Sequence, residues 1–454
     1  MYSHYILDKD GLSLAQTLLK GNQLMEKLIL KTILGASFVF ASSLSFAATL
    51  KASCYLQEAD GKQVQGVRQD KIYEIASVSK VITSYWAISK MGVEGRFETK
   101  IAVTPVAEDL YDVHLIGSRD PYLGRESLQN IIVNLNQIGV KRVRTLSFDE
   151  NFKYFDDIRH RMIAQGHFGL NDPAPNVVVR QLQASLSHLH KNYEQTQQKA
   201  ESIHSMKLPE NITFKIGQII TVSSESMKLS TEAKTYIYQS APLVTLLKEM
   251  NRNSNNHAAN QIFEALGGHS EFQTFIKEKL NLTEKQLSMV NGSGDRYDLP
   301  KGGKVYNSAT CQSVVKVIKA LQEELSQKAK LGLKDIMAVA GRDVEDENST
   351  VSNIYGATPE IEGAMIAKTG TVNPAVTLAG VVSTQEGMIY FGFIYGTNGS
   401  DADWKAGRAK IRTDVAKLIH NHGGKKEIEY SGEAFLPFDQ LSTLREAPST
   451  EVLK

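Results

Sequence analysis

Ser77-Val78-Ser79-Lys80 opens a run in which Val78, Ile82, Tyr85, Trp86 and Ser89 recur at helical spacing until Gly92 ends it. A serine and a lysine three apart share one face of such a helix. The free N–H groups and positive dipole end of a helix start favour a developing oxyanion. A lysine one turn later can take the serine's proton only when it is neutral. A free lysine titrates near ~10.4, so work near neutrality asks for a shift of roughly 3 units, about 4 kcal/mol. Burial and a second positive charge are the physical means. Read alone, the four residues also fit an ordinary helix start.

Two further motifs sit in different local patterns. Ser254-Asn255-Asn256 is the polar centre of the strongly helical segment Ala241 to Leu266. A polar cluster in an apolar helical pattern is costly unless each group is bonded. By itself it also fits a capping or loop cluster. Lys368-Thr369-Gly370, followed by Thr371, ends a strand-like run from Ala364. Its lysine supplies the second positive charge, Thr369 can bond a carboxylate, and Gly370 lets another backbone come close. An exposed strand end is the plain alternative.

The rest of the chain frames these motifs. Strands are expected at 99–104, 111–117, 142–148, 211–223, 376–382 and 388–395. Leu182, Leu186, Leu189 and Tyr193 put one narrow apolar stripe on a long surface helix from Arg180 to Met206. Further helices are expected over 310–325 and 405–420. The tail from Lys425 is charged and irregular, and is expected to be poorly tied down.

Among 454 residues, 42% are hydrophobic and 22% charged, which excludes a disordered or fibrous chain. Lys+Arg is 51 against Asp+Glu 50, so charge gives no reason to expect a nucleic-acid partner. Two cysteines, Cys54 and Cys311, cannot build a disulfide framework or a cysteine-based zinc site. One disulfide and two free thiols both remain open. The pairs His188/His190 and His420/His422 lack carboxylate partners in a motif and read as surface histidines, so no metal and no cofactor are expected.

From Met25, Lys27 and Lys31 precede a largely apolar run, Ile33 to Phe46, and Ser45-Phe46-Ala47 sets small residues at the −3 and −1 positions. This is the pattern of a secretory signal peptide over 25–47, cut after Ala47. An uncleaved anchor is the alternative. Residues 1–24 read as an over-extended start. The mature chain is expected outside the cytoplasm, periplasmic or secreted, with no membrane association after cleavage.

Together and in this order, S-x-x-K, S-x-N and K-T-G are a specific combination. With Tyr238-Gln-Ser-Ala-Pro-Leu243, Met250-Asn-Arg252, Asn291-Gly-Ser-Gly294, Val339-Ala-Gly341 and Leu378-Ala-Gly380, the chain resembles the D-alanyl-D-alanine carboxypeptidase/endopeptidase family, the class C low-molecular-mass penicillin-binding proteins. The resemblance implies an α/β fold of the β-lactamase/transpeptidase type, a mostly antiparallel sheet flanked by helices plus an all-helical part. It implies a catalytic domain split into 48–97 and 236–424 by an inserted domain at 98–235, with the tail at 425–454. It implies a serine DD-peptidase that acts on peptidoglycan stem peptides, cleaves D-alanyl cross-links, terminal D-Ala-D-Ala or both, and binds β-lactams covalently.

By that resemblance Ser77 is the nucleophile and Lys80 the base. Ser254 relays a proton and Asn256 positions. Lys368 and Thr369 receive the terminal carboxylate, Gly370 admits the substrate, and Lys368 helps keep Lys80 neutral. The N–H groups of Ser77 and Thr371 form the oxyanion hole. The chain departs from the family where Asp295-Arg296-Tyr297 follows the Gly-Ser-Gly, in a shorter insert, and in 164–176, which has no match to a substrate-reading stretch. A catalytically weak peptidoglycan-binding protein of the same fold is the alternative. A class A β-lactamase is a weaker one, since Lys277 stands where its glutamate would precede Leu280-Asn281.

Overall fold

The computed structural model describes residues 48–58, 63–159, 173–299, 301–343, 349–432 and 434–448. The expected signal peptide, residues 1–24, and 164–172 of the unmatched stretch lie outside the described residues. From Ala48 onward the chain forms one unit.

Largely apolar strands build the central sheet. Met365–Val372 (β14), Ala375–Thr384 (β15) and Gly387–Gly396 (β16) are buried along nearly their whole lengths, so both faces must be covered. They form an antiparallel meander. Ala338–Val339 (β13) flanks β14, while Thr49–Gln57 (β1) and Gln65–Val67 (β2) extend the other side, giving the order β13-β14-β15-β16-β1-β2. A small sheet joins Ile72–Glu74 (β3), Leu287–Ser288 (β9) and Ser308–Thr310 (β12). Tyr297–Asp298 (β10) and Lys304–Val305 (β11) make a short hairpin.

One face of the central sheet packs on helices α1 (Ser79–Met91), α5 (Leu243–Asn253), α6 (Asn256–Ala265), α7 (Gly268–Leu280) and α8 (Cys311–Ala329). Trp86 of α1 is fully buried there, edge-on to Phe263 and Phe272 with ring centroids 5.3 and 5.5 Å away. The opposite face is covered by α10 (Asp401–Asn421), through Ile411 and Val415 against Leu378, Val382 and Phe391. A short helix, α9 (Thr350–Tyr355), lies near the end of β14. This is the expected α/β arrangement, an antiparallel sheet between helices.

A second six-stranded sheet has its own apolar cluster. Its strands are Glu98–Ala107 (β4), Leu110–Ile116 (β5), Arg142–Phe148 (β6), Lys215–Thr221 (β7), Lys234–Gln239 (β8) and Arg445–Glu446 (β17), in the order β17-β8-β4-β5-β6-β7. β5, β6 and β7 run parallel, so helical crossovers are needed between them. Helices α2 (Arg125–Gln137), α3 (Pro175–Ser187) and α4 (Tyr193–His204) supply these.

Three sequence expectations need correction. The single helix over 180–206 is two helices, α3 and α4, broken at 188–192 with Asn192 at φ +60. The break frees the carbonyls of Leu189 and Lys191, and buried Gln129 donates to both at 2.9 and 3.1 Å. The helix over 241–266 is also two, interrupted at Ser254. The tail is tied down through residue 448. Phe435, Leu436 and Phe438 are buried, and Asp439 accepts both arms of Arg96, at 2.9 and 2.6 Å. Apolar residues spaced too irregularly to signal an element still bury well against two existing cores.

The cysteines, left open by the sequence, are joined: Cys54 of β1 and Cys311, the first residue of α8, with Cα atoms 5.9 Å apart and a sequence separation of 257. A bond closing so long a loop restricts the unfolded chain strongly, and typical disulfides contribute about 2–4 kcal/mol. The double replacement Cys54→Ala/Cys311→Ala is therefore expected to lower unfolding stability by about that amount. Urea titration followed by circular dichroism measures it; an unchanged midpoint would mean that the bond contributes nothing.

Candidate active site

Ser77 lies in a tight 3-10 turn, Ala76–Val78, that runs directly into α1. Ala76 is held at φ +48, a region that costs a residue with a side chain about 1–3 kcal/mol. The surroundings over-determine this turn. Ile75 N donates to Asn307 O at 3.1 Å, Thr377 Oγ1 donates to Ile75 O at 3.0 Å, and buried Ser79 Oγ donates to Ala76 O at 2.7 Å.

Two glycines make room for it. A Cβ at Gly370 would sit 2.2 Å from Thr377 Oγ1 and 2.9 Å from Ala76 Cβ, so β14 can run against the serine turn only with glycine there. Gly294, at φ +77, would place a Cβ 1.9 Å from Ala76 O. The Asn291–Asp295 turn therefore abuts the same residue from the other side.

Lys80, one turn along α1, is fully buried and makes three hydrogen bonds. Its Nζ donates to Ser77 Oγ at 2.9 Å, to Asn256 Oδ1 at 2.6 Å and to Ser293 O at 3.0 Å. Burial lowers its pKa to about 7, against the opposing pull of the Asp295 charge. Lys368 of β14 is equally buried and donates to Ser254 Oγ at 2.8 Å and Thr369 O at 2.9 Å. Burial first, and the Lys80 charge second, hold it well below the usual lysine range. Burial is thus the leading cause of the Lys80 shift, where the sequence reading gave a share to Lys368.

The break between α5 and α6 explains the second motif. Ser254 ends α5 at φ +56, and Asn255 caps α6 by accepting from Ala258 N at 3.0 Å. The break turns Ser254 toward Lys368 and Asn256 toward Lys80. The Ser254 hydroxyl, given a proton relay by the sequence reading, accepts its hydrogen bond from Lys368. Thr369 Oγ1 donates to Thr350 Oγ1 at 2.9 Å, and Thr371 Oγ1 accepts from Arg408 Nη2 at 3.1 Å.

Ser77, Lys80, Ser254, Asn256, Lys368, Thr369, Gly370 and Thr371 are thus brought together from α1, the α5–α6 break and β14. Sequence reasoning missed the Ser293 carbonyl, Asp295, Thr350 and Arg408 as neighbours of the site. Gly-Ser-Gly was visible as a motif, but a backbone carbonyl leaves no residue signature.

A serine hydrogen-bonded to a buried lysine, with a second buried lysine on an adjacent strand, defines a serine hydrolase of the acyl-enzyme class. The comparisons narrow this. The model of the D-Ala-D-Ala carboxypeptidase 3 (S13) family matches residues 49–161 and 183–418. Bd3459, a predatory peptidoglycan endopeptidase from Bdellovibrio bacteriovorus, is 33% identical with a TM-score of 0.78, covering 88% of this chain and 100% of that one. A Bd3459 structure acylated by penicillin G is also similar, with a TM-score of 0.74. Bd0816, a predatory endopeptidase from the same organism, is 32% identical with a TM-score of 0.76 over 88% of this chain and 100% of that one. Penicillin-binding protein 4 from Haemophilus influenzae shares the fold, with a TM-score of 0.54 at 14% identity over 82% of this chain and 97% of that one. No curated protein sequence matches. The chain belongs to the D-Ala-D-Ala carboxypeptidase 3 (S13) family, and it is a serine-type D-Ala-D-Ala peptidase.

Proposed function

We propose that this chain is an exported peptidoglycan DD-endopeptidase that also releases terminal D-Ala and is acylated by penicillin. The observation that carries the chemistry is the fully buried Lys80 amine 2.9 Å from Ser77 Oγ, with burial lowering its pKa to about 7. Neutral Lys80 takes the Ser77 proton as Oγ attacks the D-Ala carbonyl carbon. The N–H groups of Ser77 and Thr371 hold the oxyanion. The C–N bond then breaks as the proton that Lys80 took from Ser77 passes by way of the Ser254 hydroxyl to the leaving amine, which returns Lys80 to its neutral form. Water attacks the acyl carbon, Lys80 accepts its proton, and that proton returns to Ser77 Oγ as the ester bond breaks.

Lys368, Thr369 and Thr371 line the place for the carboxylate beside the scissile bond, with Gly370 admitting it. An arriving carboxylate favours the proton on Lys368, which leaves Lys80 neutral for catalysis. The catalytic domain comprises 48–97 and 236–424, with 98–235 inserted and 425–454 as the tail. Support for this division is a second sheet, β4 to β8 with β17 of the tail at its edge, and an apolar cluster of its own to which Leu436 and Phe438 of the tail add. Export follows from the 25–47 segment and from a substrate outside the cytoplasm. Among the described residues no helix is long and apolar enough to cross a membrane.

The endopeptidase emphasis rests on the similarity to Bd3459 and on an insert shorter than in the longest family members, which favours a cleft open to a second stem peptide beyond the scissile bond. Cross-linked muropeptide dimers are expected to be cleaved at least as fast as terminal D-Ala is released from pentapeptide monomers, with weak discrimination at the third stem residue. Mass analysis of digested muropeptides decides this. Monomers trimmed while dimers survive intact would falsify the endopeptidase reading and leave a carboxypeptidase.

A further inference from the structure

Asp295 is half-buried in the tight turn that follows Gly294, and it touches the catalytic group through a single amide. Asn256 stands at the first position of α6, so its backbone is fixed. Its Oδ1 accepts from Lys80 Nζ at 2.6 Å, and its Nδ2 donates to Asp295 Oδ2 at 3.3 Å. The carboxylate is itself held: Oδ1 accepts from Arg296 N at 2.7 Å, Asp295 N donates to Ser293 Oγ at 3.2 Å, and Asp295 O accepts from Asn291 Nδ2 at 2.9 Å. The same turn supplies the Ser293 carbonyl to Lys80 at 3.0 Å. We propose that Asp295 is a positioning residue for this reaction, locking the Asn256 amide with its oxygen on Lys80 and so fixing the Lys80 amine against Ser77.

The reason lies in donor and acceptor types. An ionised carboxylate only accepts, so it requires the Nδ2 end of Asn256. Rotating that amide by half a turn would set Oδ1 against the carboxylate oxygen and Nδ2 against Lys80. An ammonium would resist that rotation by itself, since it too is only a donor. The neutral amine would not, because it carries a lone pair that Nδ2 could bond. That lone pair is the one needed for the Ser77 proton. Asp295 therefore matters most when Lys80 is poised as base, keeping its lone pair free for Ser77.

The carboxylate also acts by charge. Lys80 faces Lys368 from β14 and Asp295 from the turn, and its other partners, Ser77, Asn256 and the Ser293 carbonyl, are neutral. Around Asp295 stand Arg296, which pairs with Asp298 at 3.1 Å, and Tyr306. Removing the Asp295 charge leaves burial unopposed, so Lys80 loses its proton at lower pH.

This inference rests on the reading of Lys80 as base. Its test is the second-order rate of acylation by a fluorescent penicillin, followed against pH in the purified chain, with thermal melts to verify folding. The isosteric Asp295→Asn is expected to move the acid limb to lower pH by about one unit. A limb that stays in place or rises overturns the proposal. Asp295→Leu, which removes the acceptor as well, is expected to lose about tenfold or more on the alkaline plateau; a parental plateau in the folded variant overturns the lock. Parental acylation in Lys80→Arg would overturn the base reading and this inference together. A collapse confined to Lys80→Arg, with both Asp295 variants unchanged, would overturn Asp295 alone.

Discussion

Ser77→Ala is expected to end covalent labelling by penicillin and to lower peptide hydrolysis by a factor on the order of 10⁶, as removal of a nucleophile that works as a unit with its base does. The effect should be confined to chemistry. Lys80 loses one hydrogen bond in the variant but keeps Asn256 Oδ1 and Ser293 O, so its buried nitrogen is not left without partners. One such bond is worth about 1 kcal/mol, so unfolding should move little. Denaturing gels after penicillin labelling, beside a thermal melt, make the measurement. A labelled Ser77→Ala band would assign the nucleophile elsewhere.

Lys80→Arg keeps the charge but cannot shed a proton at working pH. Acylation is expected to fall by at least ~10²-fold, the usual contribution of a positioned base. The parent enzyme should show the matching pH dependence. Lys80 must be neutral to act, and burial lowers its pKa to about 7. Acylation should therefore rise with pH through about 7 and level off above it, with roughly a tenfold loss per unit on the acid side. The pH profile of stopped-flow acylation tests both statements. A flat profile from pH 5 to 9 in the parent, or a near-parental rate in Lys80→Arg, would transfer the role of base to another group.

The local part of this protein was readable because its signals are local. Val78, Ile82, Tyr85 and Trp86 announce α1 by their spacing, and the apolar density of 376–382 and 388–395 announces strands buried on both faces. The motif residues were readable for the same reason, since each needs only its neighbours to be seen. Helix ends were harder. The chain on either side of Ser254 has similar helical character, and the break appears only because Ser254 and Asn256 have distant partners in Lys368 and Lys80. The tail shows the same limit, since Leu436 and Phe438 gain their burial from a core assembled some three hundred residues earlier.

The sequence by itself determined which groups are available for the reaction: a serine and a lysine one helical turn apart, a serine and an asparagine after α5, and a lysine, threonine and glycine on a strand. The tertiary structure alone decided the state of those groups. Lys80 is an ordinary strong base until α6 and the Asn291–Asp295 turn close over it. They remove its water, add the Ser293 carbonyl and set the Asp295 charge beside it. Desolvation and the field of a neighbouring charge depend on distances across the fold, and residue spacing along the chain does not contain those distances.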